Sequence, residues 1–315
     1  MKIDEIAQGM FVLGGEHVLR LEMLGKKLLP KTIEQKRRLL NLIVNEFGNE
    51  EIESISSAKI VRYLFSIGDK RSSSWKNRYI EAFRALYGEY VWKTGKEILV
   101  PKFPRFSDDS KKSSIFSTEE LNRFFDKKIW RNDMEYLFFK VTASCGLRLG
   151  ETRGLRVKQF VFDKHILIID GFLRSDGIRT AFNKSGSLRD KKTRVVLLPT
   201  DVENEIKSFI CENNLFGEDF LFVKNGKPVR KEFCENIFKK MIKRSLIDVC
   251  DRKLTPHSLR YIYVTRMRRY IDGDIVRILV GHTSQEMTDY YTKPMIEDII
   301  KQISASRDAV EKLFV

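Results

Sequence analysis

The stretch Cys145-Gly-Leu-Arg-Leu-Gly-Glu-Thr-Arg-Gly-Leu155 lies where the chain changes from one structural pattern to another. Residues 134–145, which lead into it, are mostly apolar and predict a buried helix. Residues 159–170 and 194–198, which follow it, are rich in β-branched and aromatic residues and predict strands. The polar, glycine-containing residues 171–193 between them indicate hairpin turns. The stretch therefore belongs to a predicted domain of the α+β class.

The whole chain divides into two predicted domains. In the first hundred residues, apolar side chains recur at helical spacing in residues 32–47, 58–67 and 74–92, which predicts helices. Two prolines and a polar run then indicate an exposed linker, and most of the chain after Asp201 is again helical in pattern. We therefore expect a mainly α-helical protein with a small antiparallel sheet, consisting of a helical domain at 1–106, a linker at 107–114 and an α+β domain at 115–315.

The composition favours a polyanionic partner. The 315 residues include 58 Lys and Arg against 43 Asp and Glu, which gives a net charge of +15. Basic side chains gain affinity for nucleic acid by releasing the counterions condensed on its phosphates. No stretch is apolar over the roughly 20 residues that a membrane span needs, and the N-terminus does not have the pattern of a signal peptide. The cysteines form no CxxC pair, so we expect reduced, buried thiols in a cytoplasmic protein: Cys145, Cys211, Cys234 and Cys250.

The predicted helix at 74–92 combines aromatic and basic residues. Aromatic residues at helical spacing are expected in the core, whereas Lys76 and Arg78 are the predicted contacts to nucleic-acid phosphates. A charge-rich helix face can also be no more than a solvated face. The first 25 or so residues are expected either to form an arm that contacts nucleic acid or a partner, or to be a structural extension.

Two further segments carry side chains that suit phosphate chemistry, Thr255-Pro-His-Ser-Leu-Arg260 and Leu279-Val-Gly-His-Thr-Ser-Gln-Glu-Met-Thr-Asp-Tyr-Tyr-Thr292. His257 and Arg260 are three residues apart, so one helical turn places both on one face. Pro256 just ahead of them is typical of a helix N-terminus.

Arg148 follows a predicted turn at Gly146, and His282 directly follows Gly281. Arg148 precedes a predicted helix start, a place suited to presenting a guanidinium group, and His282 stands in a predicted turn nine residues before Tyr291. One arginine guanidinium group can donate hydrogen bonds to two phosphate oxygens at once and stabilise the charge that develops on them. A correctly placed tyrosine hydroxyl can attack phosphorus. Any one of the three segments alone also fits salt bridges or packing, so the prediction rests on their combination.

In this order and spacing, the three segments resemble the tyrosine recombinase (phage integrase) family. The family's first arginine lies in a GLRxGE-like segment, matched by Gly146-Leu-Arg-Leu-Gly-Glu151, its second box is HxxR, and its third is LGH with a tyrosine nine residues later. The resemblance covers residues 115–315 closely, and the N-terminal part resembles the family's helical core-binding domain in size, helicity and charge. Two positions depart from the family: Tyr261 stands where a second histidine is usual, and Val280 where leucine is usual. The nine-residue spacing selects Tyr291 rather than Tyr290.

The family's catalytic lysine, on a β-hairpin, has no single match. Counting back from Arg194 over a short turn reaches Arg189, which is not a lysine. A longer turn selects Lys184, and a tighter one selects Lys191 or Lys192. We rank Lys184 first because it follows a strand-like run and precedes Ser-Gly-Ser.

The resemblance implies a DNA cleavage and rejoining reaction. Tyr291 would attack a scissile phosphate in double-stranded DNA and form a 3′-phosphotyrosine, with Arg148 and Arg260 stabilising the phosphate. The lysine would protonate the leaving oxygen, His257 would assist proton transfer, and His282 would hydrogen-bond the phosphate. Because the phosphotyrosine conserves the bond energy, neither ATP nor a metal cofactor is expected, and the sequence has no P-loop motif.

The resemblance also implies an assembly and a role for Glu151. The family exchanges strands through a Holliday junction as a homotetramer, and the tail at 294–315 would dock on a neighbouring subunit or pack on its own domain. Glu151 is expected to support an active-site arginine.

Three other functions are alternatives to a recombinase. They are relaxation of DNA by a type IB topoisomerase-like enzyme, DNA binding without catalysis, and RNA binding, although the sequence has no RNP or KH pattern.

Overall fold

A computed structural model describes residues 1–26, 28–107, 114–181 and 193–281, apart from the side chain of Asp69. The chain divides into two compact units, Met1–Lys111 and Lys112–Val315. Their boundary falls within residues 107–114, the range predicted as a linker. Within the described ranges the chain is mainly helical with small antiparallel sheets, as predicted.

The helices of the first unit agree with the hydrophobic periodicity of the sequence. The predicted helices at 32–47, 58–67 and 74–92 are confirmed with ends shifted by one or two residues, and two shorter helices precede them. Ser56 and Ser72 cap the second and third of these predicted helices by accepting a backbone N–H, a common N-terminal signal. The helices are α1 (Ile3–Ala7), α2 (Glu16–Met23), α3 (Pro30–Phe47), α4 (Ser57–Ser66) and α5 (Ser73–Thr94).

The N-terminal residues are part of the core of this unit. Ile3 and Ile6 on α1 are fully buried, and α1 packs on α3 and α5. Lys93 on α5 donates hydrogen bonds to three carbonyls around the C-terminal end of α1, those of Glu5 (2.9 Å), Ile6 (3.0 Å) and Gln8 (3.1 Å). Of the two roles predicted for the N-terminal residues, these contacts support a structural one for α1.

The second unit combines seven described helices with three small antiparallel sheets. The predicted buried helix at 134–145 is confirmed, and so is the strand at 194–198. The helices are α6 (Thr118–Phe124), α7 (Asp133–Ser144), α8 (Leu149–Arg153), α9 (Thr200–Glu212), α10 (Lys231–Arg244), α11 (Pro256–Met267) and α12 (Gly273–Val280). The strands are β1 (Phe160–Val161), β2 (Ile166–Ile169), β3 (Phe172–Leu173), β4 (Arg179–Thr180), β5 (Arg194–Leu197), β6 (Val223–Lys224) and β7 (Lys227–Pro228).

The strand-like run at 159–170 forms a hairpin. A 3-10 turn at Phe162–Lys164 separates β1 from β2, and His165 has a left-handed φ of 53° there. The two strands pair with each other in the register Phe160 with Leu167 and Val161 with Ile166. β5 completes the sheet on the other side of β2, in the order β1-β2-β5.

The core of the second unit surrounds α7, which packs against α9 and α11. The capping box predicted at the start of α6 is present: Ser117 and Glu120 each accept the other's backbone N–H. The cysteine prediction holds only in part. Cys145 and Cys234 are buried. Cys211, near the C-terminal end of α9, and Cys250, in a turn, are exposed. Within the described ranges, no helix is both long and apolar enough to cross a membrane.

Candidate active site

Arg148 stands at the start of α8, as the sequence predicts. Its backbone N–H donates to Glu151 Oε2 (2.8 Å) and its Nη1 donates to Glu151 Oε1 (3.0 Å). Its Nη2 donates to the carbonyl of Gly281 (3.1 Å). Glu151 therefore supports Arg148 as expected, and the arginine connects the first motif to the third.

A tight turn precedes Arg148. Gly146 has a φ of 59°, and a Cβ atom built on it would lie 2.3 Å from the ring of Tyr263. Both the backbone conformation and the space require glycine at this position. The carbonyl of Gly146 accepts a hydrogen bond from Arg260 Nη1, so the turn also joins the first motif to the second.

Arg260 is fully buried in the first half of α11. It is bound by backbone carbonyls of the other two segments, those of Gly146 and Val280. Because α11 begins at Pro256, His257 lies in its first turn, one turn before Arg260. His257 is half-buried, and its ring meets Tyr261 edge to face with centroids 5.3 Å apart. The tyrosine in place of the family's second histidine thus packs against the first.

The C-terminal end of α12 brings the three motifs together. The helix ends at Val280 and is capped by Gly281, whose φ is 65°. The carbonyls at this end carry the partial negative charge of a helix C-terminus. Three successive carbonyls each accept a hydrogen bond from a different arginine. The pairs are Leu279 O with Arg194 Nε (2.7 Å), Val280 O with Arg260 Nη2, and Gly281 O with Arg148 Nη2 (3.1 Å).

Arg194 is the residue that the sequence reasoning missed. Its Nη1 and Nη2 donate to the two carboxylate oxygens of Glu151, both at 2.8 Å, and both side chains are almost completely buried. The sequence pattern predicts Arg194 only as the first residue of a strand. The alternation of the strand does indicate a buried arginine, because Arg194 and Val196 share the inward face of β5. A buried charge requires a partner.

The electrostatics keep Glu151 ionised. Burial on its own raises the pKa of this carboxyl group. The charge and hydrogen bonds of Arg194, and then the charges of Arg148 and Arg260, outweigh burial and hold the pKa well below its ordinary range. The cluster contains three guanidinium groups and one carboxylate, so it carries excess positive charge where an anion would bind.

The other predicted catalytic residues lie outside the described residues. They are Lys184, its alternatives Lys191 and Lys192, His282 and Tyr291. Tyr290, which the motif spacing does not select, lies outside the described residues as well. The described residues include those that flank the lysine segment, 182–192, and the residue that precedes His282. Arg179 on β4 donates from Nε to the carbonyl of Gly154 (2.9 Å), so the strand before the lysine segment is attached to the end of α8, and Gly281 directly precedes His282.

The two predicted DNA contacts in the first unit differ in exposure. Arg78 is exposed on α5. Lys76 is only 8% exposed, and its ammonium group lies over the rings of Phe65 (5.9 Å) and Phe106 (5.4 Å). Such an arrangement stabilises a cation through the aromatic faces, and it argues against Lys76 as a phosphate contact in this conformation.

Comparison with known proteins decides the family. The sequence model of the phage integrase family matches residues 116–297, more than half of the chain and all three motifs. The chain belongs to the phage integrase family.

Relatives of this phage integrase family member resemble it along most of its length. A tyrosine recombinase of Pseudothermotoga lettingae is 22% identical over 263 residues, which cover 81% of this chain and 83% of the relative. The tyrosine recombinase XerA of Pyrococcus furiosus is 25% identical over 288 residues, which cover 88% and 91%. The solved Tn1549 transposon integrase, in complex with a circular intermediate DNA, has the same fold, with a TM-score of 0.74, 16% identity, and coverage of 97% of this chain and 99% of that chain.

Proposed function

We propose that this phage integrase family member is a site-specific recombinase that breaks and rejoins double-stranded DNA through a 3′-phosphotyrosine intermediate. One observation carries the proposal: Arg148 and Arg260 both bind carbonyls at the end of α12, immediately before His282. Three motifs that are far apart in the sequence thus meet at one place that is rich in positive charge.

Arg148 is the arginine best placed to touch the scissile phosphate. Its side chain is 17% exposed, and beyond its bonds to Glu151 and Gly281 its other guanidinium N–H groups have no partner among the described residues. A guanidinium group can offer such parallel N–H groups to two phosphate oxygens. Arg260 adds a buried positive charge nearby, which acts strongly because the surrounding dielectric is low. Together they would stabilise the charge of the pentacoordinate phosphate.

The remaining roles belong to groups around this pair. Tyr291 attacks phosphorus and releases a 5′-hydroxyl group, and Lys184, or else Lys191 or Lys192, donates the proton to that leaving oxygen. His257 assists proton transfer on the tyrosine side, and His282 donates a hydrogen bond to the phosphate. Attack of a 5′-hydroxyl group from another strand on the phosphotyrosine reverses these steps and joins the exchanged strands.

The partner is double-stranded DNA that contains a recombination site. The first unit would act as the core-binding domain, with Arg78 as a phosphate contact. Two duplexes would be held by a homotetramer that passes through a Holliday junction, with the 294–315 tail of one subunit on the next. The similar Tn1549 integrase is bound to circular intermediate DNA, which favours a role in the movement of a mobile element.

A suicide-substrate assay in EDTA tests the chemistry. The substrate is a nicked duplex from the DNA that flanks the gene, in which the cut strand loses a short fragment and religation is prevented. We expect a covalent protein–DNA adduct with the wild type and with Tyr290→Phe, and none with Tyr291→Phe. An adduct that persists in Tyr291→Phe would contradict the nucleophile. Binding without any adduct would favour a non-catalytic protein, and relaxation of supercoiled DNA of any sequence would favour topoisomerase activity.

A substrate with sulfur at the 5′-bridging position identifies the lysine. A thiolate leaves without a proton, so a variant that lacks only the general acid regains its cleavage rate on this substrate. We expect Lys184→Ala to be rescued, and Lys191→Ala and Lys192→Ala to cleave ordinary DNA as the wild type does. Rescue of one of the other two variants would move the assignment to that residue.

A further inference from the structure

We propose that Arg194 is a positioning residue for DNA cleavage, which keeps Arg148 and the C-terminal end of α12 in one fixed arrangement. The inference rests on the proposed function, and it adds a residue that none of the three motifs contains. Arg194 lies on β5, outside the three segments, and it contacts two of them directly. Its Nε binds the Leu279 carbonyl and its two Nη groups bind Glu151.

The hydrogen bonds of Glu151 show what Arg194 does for Arg148. Oε1 accepts from Arg148 Nη1 (3.0 Å) and Arg194 Nη1 (2.8 Å), and Oε2 accepts from the Arg148 backbone N–H (2.8 Å) and Arg194 Nη2 (2.8 Å). A carboxylate has about four acceptor sites, so all are in use. Because Arg194 occupies half of them, Glu151 takes only one guanidinium N–H of Arg148. Gly281 takes another, and the remaining N–H groups stay available to phosphate.

Charge leads to the same conclusion. Without Arg194, the buried carboxylate of Glu151 would have Arg148 as its nearest counter-ion, and their mutual attraction in a buried setting would be strong. Arg148 would then neutralise Glu151 rather than a phosphate. Arg194 supplies a further, almost completely buried positive charge beside Glu151, so that three guanidinium groups rather than two share the single carboxylate of the cluster.

Arg194 also holds α12 against the sheet. A Cβ atom built on Gly281 would lie 3.2 Å from Arg194 Cδ, so the arginine stem packs directly on the residue before His282. The bond from Nε to Leu279 is short, at 2.7 Å. Lysine at this position can retain the charge, but a single ammonium group cannot make two parallel bonds to Glu151 and a third to Leu279.

The test compares Arg194→Lys and Arg194→Met with a matched control, Arg252→Met. Arg252 makes a two-bond pair with Glu120 in the same unit, and neither residue belongs to the proposed site. For each variant, thermal unfolding, affinity for the suicide duplex and the adduct-formation rate at saturating protein are measured. We expect both Arg194 variants to bind with wild-type affinity and to cleave about 10- to 10²-fold more slowly, as small misplacements of catalytic groups do. Arg194→Lys should be the faster of the two, and Arg252→Met should cleave at the wild-type rate.

A double variant separates positioning from general destabilisation. Arg194→Met combined with Glu151→Gln should cleave no more slowly than the slower single variant, because both substitutions disrupt one arrangement. Multiplied losses, a loss confined to DNA affinity, or a folded Arg194→Lys variant with the wild-type rate would each overturn the proposal. If Arg194→Met does not fold, Arg194→Lys decides.

Hydrogen exchange distinguishes this proposal from the proposed function. In Arg194→Lys, the amides at the C-terminal end of α12 should exchange faster than in the wild type, with no such change in Arg252→Met. If the wild type forms no adduct but this difference is present, the proposed chemistry fails and the structural role of Arg194 stands. Unchanged exchange in Arg194→Lys overturns the role of Arg194 whatever the adduct assay gives.

Discussion

Glu151 is a carboxylate with 1% side-chain exposure that is shared by two arginines. Burial raises the pKa of this group, but Arg194 and then Arg148 and Arg260 hold it well below the ordinary range. A depressed pKa means that the folded state binds fewer protons than the unfolded state in acid. The stability that Glu151 contributes is therefore present above about pH 4.5, its ordinary pKa, and is lost as the pH falls toward the folded pKa.

Glu151→Gln is expected to show both effects. At neutral pH it should lower the free energy of unfolding by about 3 kcal/mol, because it leaves the buried charge of Arg194 without its counter-ion. Below the ordinary glutamate pKa, its stability should fall less steeply than that of the wild type, by up to about 1.4 kcal/mol per pH unit. Urea unfolding at a series of pH values measures both. Parallel acid limbs in the two proteins would contradict the depressed pKa.

The cysteines offer a second prediction at single residues. Burial raises the pKa of Cys145 to about 12 and that of Cys234 to about 12. The hydrogen bond to Asp248 raises the pKa of the exposed Cys250. Because the thiolate is the reactive form, iodoacetamide should modify Cys211 first, Cys250 more slowly, and the two buried thiols only after unfolding. Peptide mass spectrometry over time checks this order, and early labelling of Cys145 would contradict it.

At the scale of elements, the turn before α8 sets the direction of Arg148. Gly146→Ala places a methyl group against the Tyr263 ring, in a backbone conformation that alanine disfavours. Backbone strain and overpacking together should lower the free energy of unfolding by roughly 2–6 kcal/mol. Gly217→Ala is the matched control, because Gly217 has a φ of 51° and open space. It should lose only the strain, about 1–3 kcal/mol. Equal losses in denaturant unfolding would contradict the role of Tyr263.

The elements differ in how far the sequence predicts them. α3 and α5 are long enough for hydrophobic periodicity to be visible, and their ends agree with the prediction within two residues. α1 has five residues, too few to show a period, and its position depends on packing against α3 and α5. The residues Arg148, His257 and Arg260 were predicted from three local motifs that together resemble those of the family. Arg194 was not, because its function depends on Glu151, a partner 43 positions away.

For the whole molecule, the net charge of +15 predicts DNA binding that weakens with salt. Each phosphate contact releases about one counterion, so the slope of log affinity against log salt counts the contacts. The two basic residues predicted on α5 make a matched pair for this measurement. Arg78 is exposed, whereas Lys76 is buried over Phe65 and Phe106.

Arg78→Gln should therefore reduce the magnitude of this slope by about 1. Lys76→Met, which keeps the apolar stem under the two rings, should leave it unchanged. Fluorescence anisotropy of a labelled duplex from the DNA that flanks the gene, titrated at several salt concentrations, measures both slopes. If Lys76→Met reduces the slope as much as Arg78→Gln does, the ammonium group of Lys76 must leave the aromatic rings when DNA binds, and the first unit must rearrange on its target.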